Sequence, residues 1–206
     1  MPDSRPIRVI AIASGKGGVG KTMVSANLAT TLALRRKKVL IFDADIGLAN
    51  VQLALGVRAK YNLRHVISGE KTLNEILVKV SENLTLVPGA NGFLNMATLS
   101  STELSNIIHS FSEITEDIDY MIVDAAAGIS DSVMVFLAAC QERYIVINDD
   151  PSSIVDAYGT IKVMMKNYEL NQIYLIPNKV QSQKEGEALF QRVNAVTEKC
   201  LSRTIK

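Results

Sequence analysis

The sequence predicts an α/β fold of three layers, a mainly parallel central sheet with helices on both faces. Three observations predict it. Short apolar, β-rich runs alternate with helical patterns along the whole chain. The runs are apolar at consecutive positions, as in strands covered on both faces. The first run leads into a glycine-rich loop that opens a helical pattern. Composition agrees. The chain has 206 residues with 48% hydrophobic and 21% charged side chains, which is globular usage and excludes a disordered chain. Lys and Arg number 22 against 21 Asp and Glu, and a net charge of +1 gives no global field for holding nucleic acid. Cys140 and Cys200 form neither a disulfide framework nor a metal spacing, so reduced thiols in a cytoplasmic protein are expected.

The elements follow in order. Ile7–Ala13 is an apolar strand; Arg5 and Arg8 before it give a faint signal-peptide pattern, but the apolar stretch is too short. Thr22–Arg36 is a helix with Val24, Leu28 and Leu32 on one stripe, closed by the basic run 35–38, where cations favour a helix C-terminus. Val39–Phe42 is the second strand. Ala49–Leu55, Leu63–Ser68 and Leu73–Val78 are short amphipathic pieces. Leu84–Val87 is a strand stopped by Pro88 and Gly89. Thr102–Glu116 is a helix with Ser101 or Thr102 as its cap. Tyr120–Val123 is a strand and Ser132–Cys140 a helix. Tyr144–Ile147 is a strand, and Pro151–Lys166 a helix with Pro in its first turn. Ile173–Ile176 is a strand, and Gln183–Cys200 a helix with Leu189, Val193, Val196 and Cys200 inward. No repeat or linker interrupts the pattern, so one domain over residues 1–206 is expected. In such sheets ligands sit beyond the carboxyl ends of the strands, which is where the informative residues fall.

Gly15-Lys-Gly-Gly-Val-Gly-Lys21-Thr22 matches G-x-x-x-x-G-K-[ST] between a strand and a helix. Glycines let backbone N–H groups turn inward around phosphate oxygens, and the helix N-terminus adds positive potential. Lys21 reaches the β- and γ-phosphates in this arrangement, and the Thr22 hydroxyl ligates Mg²⁺. Asp43 and Asp45 follow the second strand two residues apart, so in extended chain they face the same side and suit a metal shell and a polarised water. Met121-Ile-Val-Asp124 is an apolar run ending in Asp, an arrangement that holds Mg²⁺ directly or through water. Gly128 leaves the backbone after it free to move. Asn178 follows a later strand; its amide suits either a base edge or a turn. Asp149 and Asp150 form either an acid cluster at a helix N-terminus or the rim of a nucleotide pocket or dimer face. His65 and His109 lack metal spacing.

The loop, with Lys16 one residue after its first glycine, resembles the deviant Walker motif of the MinD/ParA class of P-loop ATPases. Four stretches narrow the likeness: Asp43–Asn50, Tyr61–Glu70, Asp124–Ser132 and Asp150–Tyr158. Together they resemble the FlhG (FleN) group of flagellar-number regulators. The likeness runs over residues 7–200 and implies an ATPase that dimerises face to face on ATP, with ATP and Mg²⁺ as cofactors. It implies that Gly15, Lys16, Gly17, Gly18, Val19, Gly20, Lys21, Thr22 and Met23 bind the nucleotide and that Lys16 crosses to the partner's nucleotide. It further implies that Asp45 orients the attacking water, that Thr22, Asp43 and Asp124 serve the metal, and that Asn178 contacts adenine. The implied partners are a second copy, an FlhF-type SRP GTPase, a FleQ-type transcription activator and flagellar C-ring proteins, with no direct nucleic acid. A MinD- or ParA-like role in division-site or DNA positioning is the alternative, and a non-catalytic partner-binding chain a third.

Some positions depart from that pattern. Ala125 stands where a hydroxyl residue is usual, which implies slow hydrolysis. Met23 replaces a polar residue. The glutamine-containing helix that acts on FlhF in some members is missing. The pattern also continues past position 206 with a strand, a Pro-containing base loop and an amphipathic membrane helix, none of which this chain carries, so membrane association is expected only for longer forms.

Overall fold

The computed structural model describes residues 6–45, 50–90, 99–114 and 117–206. The strands are β1 (Arg8–Ala13), β2 (Val39–Ala44), β3 (Val78–Ser81), β4 (Leu84–Val87), β5 (Tyr120–Ala125), β6 (Glu142–Ile147) and β7 (Ile173–Pro177). The helices are α1 (Lys21–Leu34), α2 (Val51–Ala54), α3 (Leu63–Ile67), α4 (Leu73–Ile76), α5 (Ser101–Ser110), α6 (Asp131–Ala139), α7 (Pro151–Asn167) and α8 (Gln183–Leu201). The strands form one seven-stranded sheet in the order β3-β4-β2-β5-β1-β6-β7. β2 runs parallel to β4, with Val39 opposite Leu84, and β6 runs parallel to β7, with Arg143 opposite Ile173. Every residue of β2 and β4 is buried, so both faces of these strands are covered.

One strand lies outside the sequence expectation. Residues 78–81 alternate half-buried and exposed, and pair antiparallel to β4 as an edge hairpin. The expected amphipathic piece Leu73–Val78 is α4, capped by Thr72 with Glu75 returning to the Thr72 N–H, and it ends two residues early, at Ile76. The helix after residue 100 is capped by Ser100, not by Ser101 or Thr102. Glu103 N–H donates to Ser100 Oγ at 3.2 Å and Ser100 N–H to Glu103 Oε2 at 2.8 Å.

Two helices bury faces that only partly match those expected, Leu189 and Val193 of α8 being inward as predicted. In α1 the small residues Ser25, Ala26, Ala29 and Ala33 are buried, while Val24, Leu28 and Leu32 are half-buried. In α8 the buried stripe is Gly186, Leu189, Val193, Thr197 and Leu201, whereas Val196 and Cys200 are exposed. Thr197 takes the inner place because its hydroxyl donates to the Val193 carbonyl at 3.0 Å and so carries no unpaired polar group inward. α1 also ends before the basic run, since Leu34 is its last residue.

By compactness the chain divides into two units, residues 1–10 with 22–124 and residues 11–21 with 125–206. The first has its core on Phe42, Leu40, Ile41, Leu86 and Ile122, with the Phe42 and Phe111 rings 4.9 Å apart. The second is built on Ile145, Ile147, Ile161, Met164, Leu189 and Val193, all fully buried. In it Lys206 makes backbone bonds to both Leu175 and Ile173 of β7. No helix among the described residues is long and apolar enough to cross a membrane.

Candidate nucleotide-binding site

In the second unit, residues 14–20 turn tightly between β1 and α1. Gly18 and Gly20 take φ of +79° and +97°, conformations that cost a side-chain-bearing residue. Gly15 is required for another reason. A Cβ there would lie 2.3 Å from the Asp156 carbonyl carbon, so the loop packs directly on the backbone of α7. Gly17 has neither constraint, because nothing lies within 4 Å of a Cβ there. Ser14 Oγ donates to the Lys16 carbonyl at 2.9 Å, and Gly128 N–H donates to the Ser14 carbonyl at 2.9 Å. Gly128 itself has φ +103°, so the turn after β5 uses its glycine.

Lys16 is held within its own chain. Its Nζ donates to Asp150 Oδ2 at 2.8 Å and to Ser152 Oγ at 2.5 Å. Asp150 is the N-cap of α7 through the Ser152 N–H at 2.9 Å. Lys16 first and the Ser152 groups after it hold the Asp150 carboxyl down at about 2. Asp150 is therefore a helix cap, the first of its two readings, and it also meets the loop through Lys16. Arg192 pairs separately with Asp149 at 2.5 Å.

Asn178 and Lys179 close over the other side of the loop. Asn178 Nδ2 donates to the Val19 carbonyl and Lys179 Nζ to the Gly18 carbonyl, both at 2.8 Å. Val19 is buried and Lys21, the first residue of α1, is 8% exposed. The sequence argument missed Ser152 and Lys179. Lys179, beside Asn178, carried a signal in its adjacency alone; Ser152 carried none until α7 was in place.

In the first unit, Thr22 continues α1 and Met23 is exposed on its surface. Asp43 and Asp124 lie near the carboxyl ends of β2 and β5, which are neighbours in the sheet, and both side chains are buried. Asp124 Oδ1 accepts from Ser25 Oγ at 2.8 Å, a contact that ties β5 to α1. Asp43 Oδ2 accepts the Val51 N–H at 2.9 Å and so caps the short α2. Asp45 is half-buried just past β2. The sequence 46–49, part of the stretch that narrowed the resemblance, lies outside the described residues. Ala125 is buried. Asn62 caps α3, and His65 completes the cap, its Nδ1 accepting the Asn62 N–H at 3.2 Å.

Each unit by itself carries groups whose chemistry suits a magnesium nucleotide. In the second unit, a loop with left-handed glycines ending at Lys21 has the form of a polyphosphate cradle. Thr22 and two buried carboxylates are hard oxygen donors of the kind Mg²⁺ takes.

Comparison with known proteins agrees. The CobQ/CobB/MinD/ParA nucleotide binding domain matches residues 10–205. The chain belongs to this family. It is thereby a MinD/ParA-type P-loop ATPase domain. It is 41% identical to the antiactivator FleN of Pseudomonas aeruginosa over 98% of its length and 72% of FleN's. It is also 41% identical to the flagellum site-determining protein YlxH of Helicobacter pylori, over 90% of its length and 63% of YlxH's. The septum site-determining protein MinD of Pyrococcus horikoshii, solved with Mg-ADP, shares the fold at a TM-score of 0.73 and 28% identity, covering 91% of this chain and 77% of that one.

Proposed function

We propose that the chain is an ATP-binding switch that dimerises on ATP, hydrolyses it slowly, and sets the number and placement of polar flagella. The observation that carries the nucleotide reading is the glycine-shaped loop running into Lys21 and Thr22, with Lys16 mounted on it. The flagellar reading is supported by the FleN and YlxH relatives. By the same likeness the partners are a second copy, an FlhF-type GTPase and a FleQ-type transcription activator or C-ring proteins.

Within this reading Thr22, Asp43 and Asp124 hold Mg²⁺, which when bound neutralises charge on the β- and γ-phosphates. Lys21 binds those phosphates, and backbone N–H groups of Gly17, Gly18 and Gly20 line them. Asn178 stands by the base, with Nδ2 already given to the loop and Oδ1 left as acceptor. Asp45 holds the attacking water. Lys16 leaves Asp150 and neutralises phosphate charge on the facing copy, so chemistry waits for assembly and turnover is slow.

The test is calorimetric titration with a non-hydrolysable ATP analogue and Mg²⁺, using the GTP analogue as control, followed by phosphate release. Selective ATP binding with turnover lost in Asp45→Ala is expected. Turnover unchanged in that variant sinks the mechanism. A second reading, a nucleotide-independent partner-binding chain, is favoured by Ala125, which brings no hydroxyl to the end of β5. Turnover lost in Lys16→Ala excludes it.

A further inference from the structure

We propose that Lys179, together with Asn178, is a positioning residue that presets the phosphate loop before any nucleotide arrives. The inference rests on the nucleotide-binding reading of that loop. It assigns a role to a lysine that neither the loop motif nor the family resemblance singled out.

The two side chains take consecutive carbonyls of the loop, Lys179 Nζ that of Gly18 and Asn178 Nδ2 that of Val19, each at 2.8 Å. A trans peptide unit is planar, so its C=O and the following N–H point in opposite directions. Holding the Gly18 and Val19 carbonyls toward Asn178 and Lys179 therefore turns the Val19 and Gly20 N–H groups to the other side. Gly20 permits the approach: a Cβ there would sit 2.4 Å from Asn178 Nδ2 and 3.8 Å from Lys179 Cε. The left-handed φ of Gly18 and Gly20 completes the turn that the clamped carbonyls require.

The clamp has a firm mount. Asn178 N–H donates to the carbonyl of Ile147 at 2.7 Å, and Pro177 pairs with Ile147 at the ends of β7 and β6. Lys179 itself has φ +58°, a region sparsely used by residues with a Cβ. Such a conformation persists where the surroundings over-determine it, and it clusters at functional sites.

The experiment compares the 206-residue chain with Lys179→Met and Lys179→Arg by two measurements. One is the affinity for Mg-ADP by calorimetry; the other is amide hydrogen exchange of residues 18–20 without nucleotide. Lys179→Met is expected to weaken Mg-ADP about tenfold and to speed exchange at Val19 and Gly20, with the melting temperature of the free chain unchanged because the contact is exposed. Lys179→Arg keeps a donor and is expected to stay within about threefold of wild type. Unchanged affinity in Lys179→Met overturns the proposal. So does weakened affinity with unchanged exchange, which assigns Lys179 to the nucleotide itself. A wild-type chain that binds no Mg-ADP brings down the nucleotide reading instead, and the exchange measurement still decides whether Lys179 orders the loop.

Discussion

Lys16 Nζ lies 2.8 Å from Asp150 Oδ2, so the lysine expected to serve a second copy is held by the cap of its own α7. Both side chains are 39% exposed, and water and salt screen a pair of that kind. The tether is therefore weak enough to be broken by association. Asp150→Asn keeps the N-cap, since Asn caps as well as Asp, and removes the charge that holds Lys16. ATP-analogue-driven self-association in this variant is expected at a protein concentration lower by no more than about fivefold. Sedimentation across a concentration series measures it.

The same carboxyl gives a pH dependence. Lys16 and the Ser152 groups hold Asp150 down at about 2, against an ordinary value of 3.8. A group whose folded value is depressed stabilises the fold above the unfolded value and loses that contribution as pH falls through the folded one. The Lys16–Asp150 contribution is therefore complete at neutral pH and lost between about pH 5 and 2. Melting temperature against pH is expected to fall less steeply over that window in Asp150→Asn than in wild type.

Loop glycines separate by physical cause. Gly15→Ala sets a Cβ 2.3 Å from the Asp156 backbone, which cannot swing aside as a side chain would. A loss of about 1–3 kcal/mol follows, or roughly 5 °C in melting temperature. Gly17→Ala meets nothing within 4 Å and is expected to stay within about 0.5 kcal/mol of wild type. Thermal melts of the two free chains separate them, although the motif marks only Gly15 and leaves Gly17 open.

Much of this was legible in the sequence because its signals are local. The apolar runs found β1, β2, β4, β5, β6 and β7, and the loop motif lies at the β1–α1 junction. What escaped were features set by tertiary neighbours. β3 is an edge strand of only four residues, and Lys79 and Ser81 deny it an apolar run. The inner faces of α1 and α8 turned on close approach and back-bonded hydroxyls, which favour Ala33 over Leu32 and Thr197 over Val196. Ser25 carries no motif of its own, yet it reaches Asp124 across 99 positions.

That contact is testable. Ser25→Ala removes a hydrogen bond to a carboxylate that has no exposed surface. Bonds to charged groups are stronger than neutral ones, and weakening the set around a buried acceptor costs about 1–3 kcal/mol. A lower urea midpoint with an unchanged slope is expected, the mark of a stability change without a change in compactness.

Arg143 offers the largest effect away from the nucleotide loop. It stands on β6, 6% exposed, and its guanidinium donates to the carbonyls of Leu137 at 2.8 Å, Asn171 at 2.6 Å and Cys140. Two of these belong to the last turn of α6 and its cap, where carbonyls run out of helical partners; that of Leu137 takes the Cys140 N–H at 3.3 Å besides the guanidinium. Burial pushes the Arg143 guanidinium down, while the Cys140 thiol is driven up to about 12 by its own burial. The arginine therefore acts as a fork of donors in a place few side chains could fill. Arg143→Met retains the length and strands these acceptors, for a loss of about 3 kcal/mol. Arg143→Lys keeps the charge but not the fork, and recovers only part of it. Urea unfolding of the two variants orders them, and a lysine as stable as wild type would show that charge, not the planar fork, holds the end of α6.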